Sequence, residues 1–481
     1  MSGGDISREK PDRIDAEAEV VVIGAGACGL VAALRARAAG AEVIVLERDA
    51  SPSGSTSMSS GFVPAPETRF QRDIGTEDDT PERFEADIMA KSEGKSASSL
   101  ARLAAQTIGP ALEWLADAHG LEWIVLDDFL YPGHSRHRMH AVPEKTGAAL
   151  EARLLAAVEE AEIPVVTGAH VTTLHADEGN KILAVGITRP DGAMEVLGCK
   201  ALVLACNGFG GNAALVRQHI PEIANGLYYG HQGNTGDALV WGQTLGARIE
   251  HLSGYQGHGS LAHPHGILIS WALMMEGGIQ VNTDGTRFSN EHGGYSEQAV
   301  NVLAQPGGIA WNIYDARLHA FAQGFPDYRE AMAAGAIRQA ADVTELARVT
   351  GLPEAALART LSEAALYQSG QTFDPFGDPF GRDFTGKPVL TAPYHAVKVT
   401  GALFHTQGGL MIDDRARVVR EDGARFANLF AGGGAACGVS GPDVSGYLSG
   451  NGLLTAIAFG FLAGTSAGEL AAPGSTSDTG S

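Results

Sequence analysis

Residues 19 to 47 constrain the fold of this chain more than any other stretch, because they contain the parts of a dinucleotide-binding β-α-β unit in order. Val20 to Ile23 form a short β-branched run that is typical of a strand buried on both faces, and Val43 to Leu46 form a second such run. Glycines follow the first run at the G-x-G-x-x-G spacing, namely Gly24, Gly26 and Gly29. The second run ends in Glu47, about 20 residues beyond the glycines. The stretch therefore predicts strand, helix and strand around a bound nucleotide.

Each glycine has a task in such a unit. Gly24 permits the tight turn after the strand, Gly26 lets the backbone approach a pyrophosphate, and Gly29 lets the helix pack closely. The helix N-terminus offers unpaired N–H groups and the positive end of its dipole to the phosphates. Glu47 is expected to accept hydrogen bonds from an adenosine ribose. A glycine turn in an unrelated α/β protein is the alternative interpretation.

The charge balance of the 481 residues disfavours several classes of partner. The chain has 34 Lys and Arg against 56 Asp and Glu, and its net charge of −22 disfavours binding to nucleic acid and to anionic membranes. Its four cysteines are scattered without a C-x-x-C pair, so neither a zinc site nor a disulfide framework is expected. We expect no metal site and a reducing, cytoplasmic location.

Both ends of the chain, 1–14 and 473–481, are expected to be flexible tails, and the N-terminal one lacks the apolar core of a signal peptide. The longest apolar stretch, Gly452 to Ala467, is short for a membrane span and is interrupted by Gly460 and Gly464. A buried helix is the better interpretation, and no membrane span is expected.

The residue composition and the secondary-structure pattern change twice along the chain, which predicts a domain insertion. Strand-like and helix-like patterns alternate over residues 15–255, which predicts an α/β fold. Residues 256–393 are rich first in His, Gly and aromatic residues and then in amphipathic helices. Strand and glycine motifs resume over 394–472. The first and third ranges are expected to form one discontinuous domain around an inserted one.

Further motifs agree with this plan in order and spacing. They are Leu204–Asn212, Asn234–Ala238, Arg287–Glu291, His405–Gly409 and Leu448–Gly452. With them the chain resembles the fumarate reductase and succinate dehydrogenase flavoprotein superfamily over nearly its whole length. The resemblance implies a Rossmann-like, discontinuous FAD-binding domain with an inserted α+β capping domain that carries part of the active site.

The resemblance also implies which residues bind FAD. They are Gly24, Ala25, Gly26, Ala27, Cys28, Gly29, Glu47, Arg48, Gly54, Ser55, Thr56, Ser59, Gly61, Val171, Ala205, Cys206, Asn207, Gly208, Asn212, Gly236, Asp237, Gly433, Gly434, Leu453 and Leu454. Ser55, Thr56 and Ser57 stand where succinate dehydrogenases have a flavin-linking histidine, so non-covalent FAD is expected. Gly434 stands where the family usually has a glutamate that contacts the ribityl chain, and that contact must be lost or replaced.

The substrate site departs further from the family. Fumarate reductases use cations to bind two carboxylates and to relay a proton, but the corresponding positions here hold no cation. They are Trp271, Met274, Tyr295 and Tyr447. Two phenols cannot neutralise two carboxylates, so we expect an apolar pocket in which Trp271 contacts the substrate. His405 remains as a substrate-binding group, and His258 is a candidate for a second.

Tyrosines at these positions resemble the arrangement in 3-ketosteroid and cyclic-ketone dehydrogenases, which implies one base and one group that polarises a carbonyl. Removing hydrogen across Cα and Cβ of a ketone requires a donor where enolate charge develops. Tyr447, with a backbone N–H near Gly450 or Asn451, is expected to be that donor. Tyr295 is expected to take the α-proton, helped by Tyr131, while FAD accepts the β-hydride. Alternatively, the tyrosines are packed aromatics that fill the space left by arginine.

The segment Gly133–His140 is the densest cationic stretch in this acidic chain. One hypothesis places Arg136, Arg138 or His140 beside the pocket, where a cation would hold a remote carboxylate and favour a small oxo-acid over a steroid. The alternative is a solvated loop, or one that contacts the protein's own acidic surface.

These features predict an FAD-dependent dehydrogenase that introduces a C=C bond next to the carbonyl of a cyclic ketone, either a small oxo-acid such as an oxocyclohexanecarboxylate or a 3-ketosteroid. The first alternative is a reductase of an enone or acrylate, in which the same residues catalyse the reverse reaction. The second alternative is a flavin-binding protein without catalysis of its own, such as an electron-transfer subunit. The expected partners are a small-molecule ketone and an electron acceptor, which could be oxygen, a quinone or another protein.

Overall fold

The computed structural model describes residues 4–127, 130–370 and 377–472. The chain divides into two compact units. The first unit comprises Met1–His219, Gly230–Tyr255 and His405–Ser481, and the second comprises Ile220–Tyr229 and Gln256–Phe404. The second unit is therefore an insertion in the first, and the chain enters it twice.

Strands and helices alternate along most of the described chain. The strands are β1 (Asp5–Ser7), β2 (Ala16–Ile23), β3 (Val43–Leu46), β4 (Val63–Pro64), β5 (Ile124–Val125), β6 (Met139–Ala141), β7 (Val165–Val166), β8 (His170–Ala176), β9 (Ile182–Thr188), β10 (Met194–Leu204), β11 (Leu227–Tyr228), β12 (Ile249–Glu250), β13 (Tyr255–Ala262), β14 (Ile267–Leu268), β15 (Ile279–Val281), β16 (Ile309–Asp315), β17 (Ile337–Ala340), β18 (Tyr394–Thr406), β19 (Gly409–Leu410), β20 (Arg417–Val419) and β21 (Arg425–Ala431). The helices are α1 (Ala27–Ala38), α2 (Arg69–Asp73), α3 (Pro81–Lys91), α4 (Ser98–His119), α5 (Gly147–Glu160), α6 (Ala213–His219), α7 (Asp237–Leu245), α8 (Ala272–Met275), α9 (Tyr295–Leu303), α10 (Ala316–Ala322), α11 (Pro326–Ala333), α12 (Val343–Thr350), α13 (Glu354–Gln368) and α14 (Asn451–Ala471).

The first unit is built on one large sheet with the order β1-β8-β9-β10-β2-β3-β7, and β21 pairs with β10. Strands β10, β2, β3 and β7 run parallel, and the β-branched residues of β2 from Val20 to Ile23 are buried as predicted. Strand β10 has two partners in succession: Met194–Gly198 pairs antiparallel with β9, and Leu197–Leu204 pairs parallel with β2. The two strand segments predicted from the sequence are therefore one continuous strand, because no turn interrupts the chain between them.

Helices α1 and α14 pack against each other through glycines, and this contact organises the first unit. A Cβ on any of three glycines of α14 would clash with a backbone carbonyl oxygen of α1: Gly460 with Cys28 (2.5 Å), Gly464 with Ala32 (2.1 Å) and Gly468 with Ala36 (2.9 Å). Both series advance in the same direction, so the two helices run parallel and their N-termini lie at the same end. Gly460 and Gly464, which interrupt the apolar stretch in the sequence, thus form the surface on which α1 packs.

Helix α14 is longer than the apolar stretch that predicted it, since it has 21 residues from Asn451 to Ala471. By length and composition alone it could cross a membrane, and the prediction that it is too short is wrong. However, 61% of its most apolar window is buried inside the protein. Burial against α1 is typical of a core helix in a globular protein. The absence of a membrane span stays a prediction.

The structure differs from the predicted boundaries in three places. Asp5 to Ser7 form β1, which pairs with Thr173 to His175 of β8, so the predicted flexible tail 1–14 is wrong for these residues. The second unit ends at Phe404 rather than at residue 393, because β18 continues without a break through this point. It also includes Ile220–Tyr229, since β11 pairs with β18. The predicted tail 473–481 lies outside the described residues.

The second unit combines a mostly antiparallel sheet with helices, in agreement with the α+β prediction. Its sheet has the order β14-β13-β18-β16-β15, with β11 and β17 also paired to β18. A buried ionic cluster fixes the Arg287–Glu291 motif, because the Arg287 guanidinium binds both Glu291 and Asp378. Arg382 adds a second cation beside Glu291. The motif is therefore a rigid support for the following helix α9, which begins at Tyr295.

Gly464→Ala should destabilise the first unit, because its methyl group would lie 2.1 Å from the Ala32 carbonyl oxygen and must push α14 away from α1. Alanine improves helix propensity, but overpacking against backbone should outweigh that gain and lower the free energy of unfolding by about 1–3 kcal/mol. Gly179→Ala is the matched control, since the atom nearest to its Cβ belongs to the flexible Asp177 carboxylate. Equal denaturation midpoints for both variants and the wild type would contradict this account of the helix packing.

Candidate active site

The first glycine loop has the backbone shape that a dinucleotide requires. Gly24 has φ 104°, and a Cβ there would lie 2.5 Å from the Ala205 carbonyl oxygen. A Cβ on Gly29 would lie 1.8 Å from the Gly24 carbonyl oxygen, so no other residue fits. Gly26 is the N-cap of α1 and has no side chain to accept hydrogen bonds from the first N–H groups of the helix. Other groups can therefore bind these N–H groups.

Two side chains reach into this glycine loop. Glu47, at the end of β3, accepts a hydrogen bond from the Ala25 N–H (3.0 Å) through one carboxylate oxygen and from the Asp49 N–H (3.0 Å) through the other. Thr56 Oγ1 accepts from the Ala27 N–H at 2.9 Å. The acidic residue predicted for the ribose therefore lies at the glycines, as the β-α-β interpretation requires.

The small-residue loop from Gly54 to Gly61 joins three of the predicted motifs. Ser55 Oγ accepts from the side-chain amides of Asn207 (2.8 Å) and Asn234 (3.2 Å), each of which follows a different core element. Ser59 Oγ donates to the Thr56 carbonyl oxygen at 2.7 Å and accepts from the Gly61 N–H, which closes the loop on itself. The loop is thus fixed beside the N-terminus of α1.

Gly434 shows why the glutamate of the family is missing. A Cβ at Gly434 would lie 2.2 Å from Asn207 Oδ1, so the asparagine side chain occupies the space that a larger residue would need. Cys28 lies under the neighbouring Gly432, whose Cβ would be 2.7 Å from the thiol sulfur. Burial raises the pKa of the Cys28 thiol to about 12, so this cysteine packs rather than reacts.

The other predicted cofactor residues all belong to the first unit. Asn212 is used by the protein itself, because its side chain accepts from Ala214 and Leu215 N–H groups and donates to the Thr235 carbonyl oxygen. The remaining residues are Arg48, Val171, Ala205, Cys206, Gly208, Gly236, Asp237, Gly433, Leu453 and Leu454. With the steric cradle at Gly24 to Gly29, this set fits FAD, which would be held without a covalent link.

Tyr447 lies at the N-terminus of α14, and only 6% of the residue is exposed. Burial raises the pKa of its phenol above the ordinary value, against the opposing effect of the Gly452 and Gly450 N–H groups on its oxygen. The phenol is therefore a protonated donor whose oxygen faces two backbone N–H groups at the positive end of the longest apolar helix.

A chain of neutral hydrogen bonds fixes the groups next to Tyr447. Gln407 Nε2 donates to His405 Nδ1 (3.0 Å), and Ser440 Oγ donates to Gln407 Oε1 (2.7 Å). Asn451 Nδ2 in turn donates to Ser440 Oγ at 2.9 Å. Because Nδ1 of His405 accepts, the ring proton is on Nε2. Burial lowers the pKa of His405 to about 4, so this imidazole is a neutral donor.

Gly452 packs directly against these donors. A Cβ at Gly452 would lie 2.9 Å from His405 Nε2 and 3.7 Å from Tyr447 Oη, so a larger residue would displace the imidazole. The His405 and Tyr447 rings meet edge-on with a centroid separation of 5.5 Å. Two neutral donors therefore lie side by side next to the N-terminus of α14.

In the second unit, aromatic rings surround Tyr295. His258 stacks on Tyr295 with a centroid separation of 5.0 Å and on Phe404 with 5.3 Å. Trp271 meets His258 edge-on at 5.9 Å, and its indole N–H donates to the Glu291 carbonyl oxygen at 3.1 Å. Burial lowers the pKa of His258 to about 3. This surface is apolar and uncharged, and Trp271 offers it a ring rather than a donor.

The hypothesis that Arg138 holds a substrate carboxylate is wrong, and that role stays a prediction for Arg136. Arg138 has a fully buried side chain whose guanidinium donates to Asp79 at 2.7 and 2.9 Å and also binds Asp87. Arg136 donates to Asp78 through two nitrogen atoms. Both charges are thus neutralised by the protein's own carboxylates, which the local sequence could not reveal because these aspartates lie more than one element away.

His140 and Tyr131 belong to the same part of the first unit. His140 is buried between Thr68, whose Oγ1 is 2.7 Å from its Nε2, and the Arg138 carbonyl oxygen, so it supports the fold. Tyr131 packs edge-on against Phe62 with a centroid separation of 5.9 Å. Its role as a helper of Tyr295 stays a prediction.

The sequence interpretation missed Gln407, Ser440 and His134. Gln407 could have been found, because alternate residues at the end of a strand share a face and it follows His405 by two positions. Ser440 and His134 are joined to the site only through tertiary hydrogen bonds. No local pattern marks them.

Comparison with known proteins agrees with this geometry. A probable fumarate reductase of Shewanella frigidimarina is 29% identical over 458 residues, which are 94% of this chain and 75% of the relative. A 4-oxocyclohexanecarboxylate 2-dehydrogenase of Sinomonas cyclohexanicum is 25% identical over 518 residues, 87% of each chain. Reductases and a dehydrogenase are therefore both among the relatives.

Solved structures share the fold. The open conformation of a flavocytochrome c3 fumarate reductase superposes with a TM-score of 0.79 at 27% identity, covering 95% of this chain and 79% of the other. A 3-ketosteroid-Δ4-(5α)-dehydrogenase of Rhodococcus jostii superposes with a TM-score of 0.75 at 23% identity, covering 97% and 100%. At that identity the second likeness shows the fold alone. The model of the FAD binding domain family matches residues 19–453. The chain therefore belongs to the FAD binding domain family, and it is an FAD-dependent oxidoreductase with fumarate reductases among its relatives.

Proposed function

We propose that the protein desaturates a cyclic ketone next to its carbonyl group. The observation that carries this proposal is the pair of neutral donors, Tyr447 and His405, whose rings lie 5.5 Å apart between centroids. A ketone oxygen bound next to both rings would meet a phenol O–H and an imidazole N–H. Both donors act where negative charge develops as the α-proton leaves, and such preorganised donors stabilise an enolate-like transition state.

The same residues disfavour a dicarboxylate as substrate. The hydrogen-bonded group of His405, Gln407, Ser440 and Asn451 is uncharged, and Arg138, which reaches this loop through His134, is neutralised by Asp79 and Asp87. Burying an unpaired carboxylate is expensive, whereas burying a ketone needs only one or two donors. With Arg138 paired in this way, a remote carboxylate on the substrate has lost one of its predicted partners.

Tyr295 is proposed as the base that takes the α-proton. It begins helix α9, where the positive end of the helix dipole favours a phenolate, and the neutral His258 ring lies against it. FAD, when bound, supplies the acceptor for the β-hydride. The role of the chain is thus to polarise the carbonyl, to hold the proton at Tyr295 and to keep charged groups away.

A reductase of an enone or an acrylate-type double bond is the second candidate. It is favoured by the higher identity to a probable fumarate reductase than to the ketone dehydrogenase, 29% against 25%. In that direction Tyr295 gives its proton to Cα, and the donors at Gly452 act on the same oxygen. The dehydrogenase relative, whose name contains a cyclic oxo-acid, supports the ketone as the substrate class.

Anaerobic mixing of the FAD-loaded protein with cyclic ketones tests the proposal. We expect 4-oxocyclohexanecarboxylate and its uncharged methyl ester to bleach the oxidised flavin absorbance, because recognition is through the carbonyl. Fumarate should not reoxidise the reduced protein. Reoxidation by enones without any bleaching by ketones would favour the reductase, and no response to either class would contradict both candidates.

Tyr295→Phe and Tyr447→Phe should separate the two proposed roles. Loss of the base should slow flavin reduction by several orders of magnitude, on the order of 10³-fold or more, with FAD still bound. Loss of the Tyr447 donor should cost about 2–4 kcal/mol of transition-state stabilisation, or about 30- to 1,000-fold in rate. Single-turnover absorbance measures both. Near-normal reduction in either variant would leave that tyrosine as a packed aromatic.

The effect of Tyr447→Phe should not depend on pH. Burial keeps the pKa of Tyr447 above its ordinary value and lowers that of His405 to about 4, so neither donor changes its charge between about pH 6 and about pH 9. The ratio of wild-type to variant reduction rates should therefore be constant across this range. A ratio that falls towards one at the alkaline end would show that the phenol ionises there and is no donor.

A further inference from the structure

His134 connects the buried cation Arg138 to the loop that carries Tyr447. Its Nε2 lies 2.9 Å from the Ser449 carbonyl oxygen, and its Nδ1 lies 3.3 Å from Arg138 Nη1. The ring is buried and stacks on Phe84 with a centroid separation of 5.9 Å. The segment predicted to bind substrate thus contacts the active-site loop through one imidazole.

The protonation state of His134 follows from its partners. A guanidinium can only donate, so Nδ1 must accept from Arg138 and the ring proton must be on Nε2, where it donates to Ser449. Burial and the charge of Arg138 lower the pKa of His134 to about 3, so the ring is neutral in all ordinary conditions. Arg138 is itself held by Asp79 and Asp87, and its guanidinium lies over the Phe84 ring at 4.6 Å.

We propose that His134 is a positioning residue that orients the Ser449–Gly450 peptide and thereby directs the Gly450 N–H towards the oxygen of Tyr447. A trans peptide is planar, and its C=O and N–H point in opposite directions, so a hydrogen bond at the Ser449 carbonyl fixes the direction of the next N–H. Gly450 has φ 88°, so a rotated peptide is sterically accessible at this position. His134 selects one of the two orientations.

A second contact limits the loop to this arrangement. Gly133, with φ 83°, packs directly against Leu448, and a Cβ there would lie 2.6 Å from the leucine side chain. The two loops therefore also meet one residue before the hydrogen bond from His134 to Ser449. The His134 ring thus influences the positions of the Gly450 N–H and of Tyr447 without contacting the substrate. Functional groups commonly depend on such supporting hydrogen bonds for their geometry.

Three substitutions at His134 test the inference, which rests on the proposed role of Tyr447. His134→Gln keeps a donor that reaches Ser449, whereas His134→Asn is too short and His134→Phe keeps only the stacking on Phe84. We expect the limiting rate of flavin reduction by ketone to stay within about threefold in His134→Gln and to fall at least about tenfold in the other two, with ketone affinity changed less. Arg83→Gln, which removes a surface cation of α3, is the control.

Hydrogen exchange of the Ser449–Gly452 amides gives a readout that needs no substrate. Exchange should be faster in His134→Asn and His134→Phe than in His134→Gln and wild type. Equal reduction rates in all three variants, or equal exchange, would overturn the inference even if melting temperatures fall. If no ketone reduces the wild-type flavin, the proposed function fails, and the exchange measurement alone decides the orienting role of His134.

Discussion

The close parallel packing of α1 and α14 is the constraint on which the first unit depends. Because residues 460, 464 and 468 are glycines, the backbones of the two helices lie too close together to leave room for a side chain between them. The Cys28 side chain packs against Gly432 next to this contact. Because the helices are parallel, their positive ends lie at the same end of the sheet. The N-terminus of α1 follows the glycine loop, and the N-terminus of α14 follows the loop that carries Tyr447. The packing of the two helices thus places the cofactor loop and Tyr447 at the same end of the unit.

Neutral hydrogen-bond chains, rather than ion pairs, position the groups around Tyr447. His405 is fixed by Gln407 and Ser440, and the Ser449 peptide is fixed by His134. The one nearby guanidinium, that of Arg138, is separated from the loop by an imidazole and neutralised by two aspartates. A buried charge would attract a carboxylate, whereas neutral donors suit a carbonyl oxygen. The site therefore suits the carbonyl oxygen of the proposed ketone better than it suits a dicarboxylate.

Features that depend on local sterics could be predicted from the sequence, and features that depend on distant partners could not. The glycine at 29 is required by a clash with Gly24 inside its own β-α-β unit, so the local spacing was sufficient to predict it. The local sequence could not decide whether Arg138 contacts the substrate or the protein's own acidic residues, because its partners, Asp79 and Asp87, lie far away in the chain. Strand β1 escaped prediction because its three residues gain stability only from pairing with β8. The same limit hid His134, whose single link to the site is a tertiary hydrogen bond.

Donors that do not change charge stabilise an enolate-like transition state equally in both directions, since forward and reverse reactions pass through the same state. In the proposed reaction, Tyr447, His405 and the Gly450 N–H would select the substrate oxygen and polarise it. The direction would depend instead on the electron donor or acceptor that exchanges with the flavin. Such a division of roles is compatible with relatives that carry both reductase and dehydrogenase names.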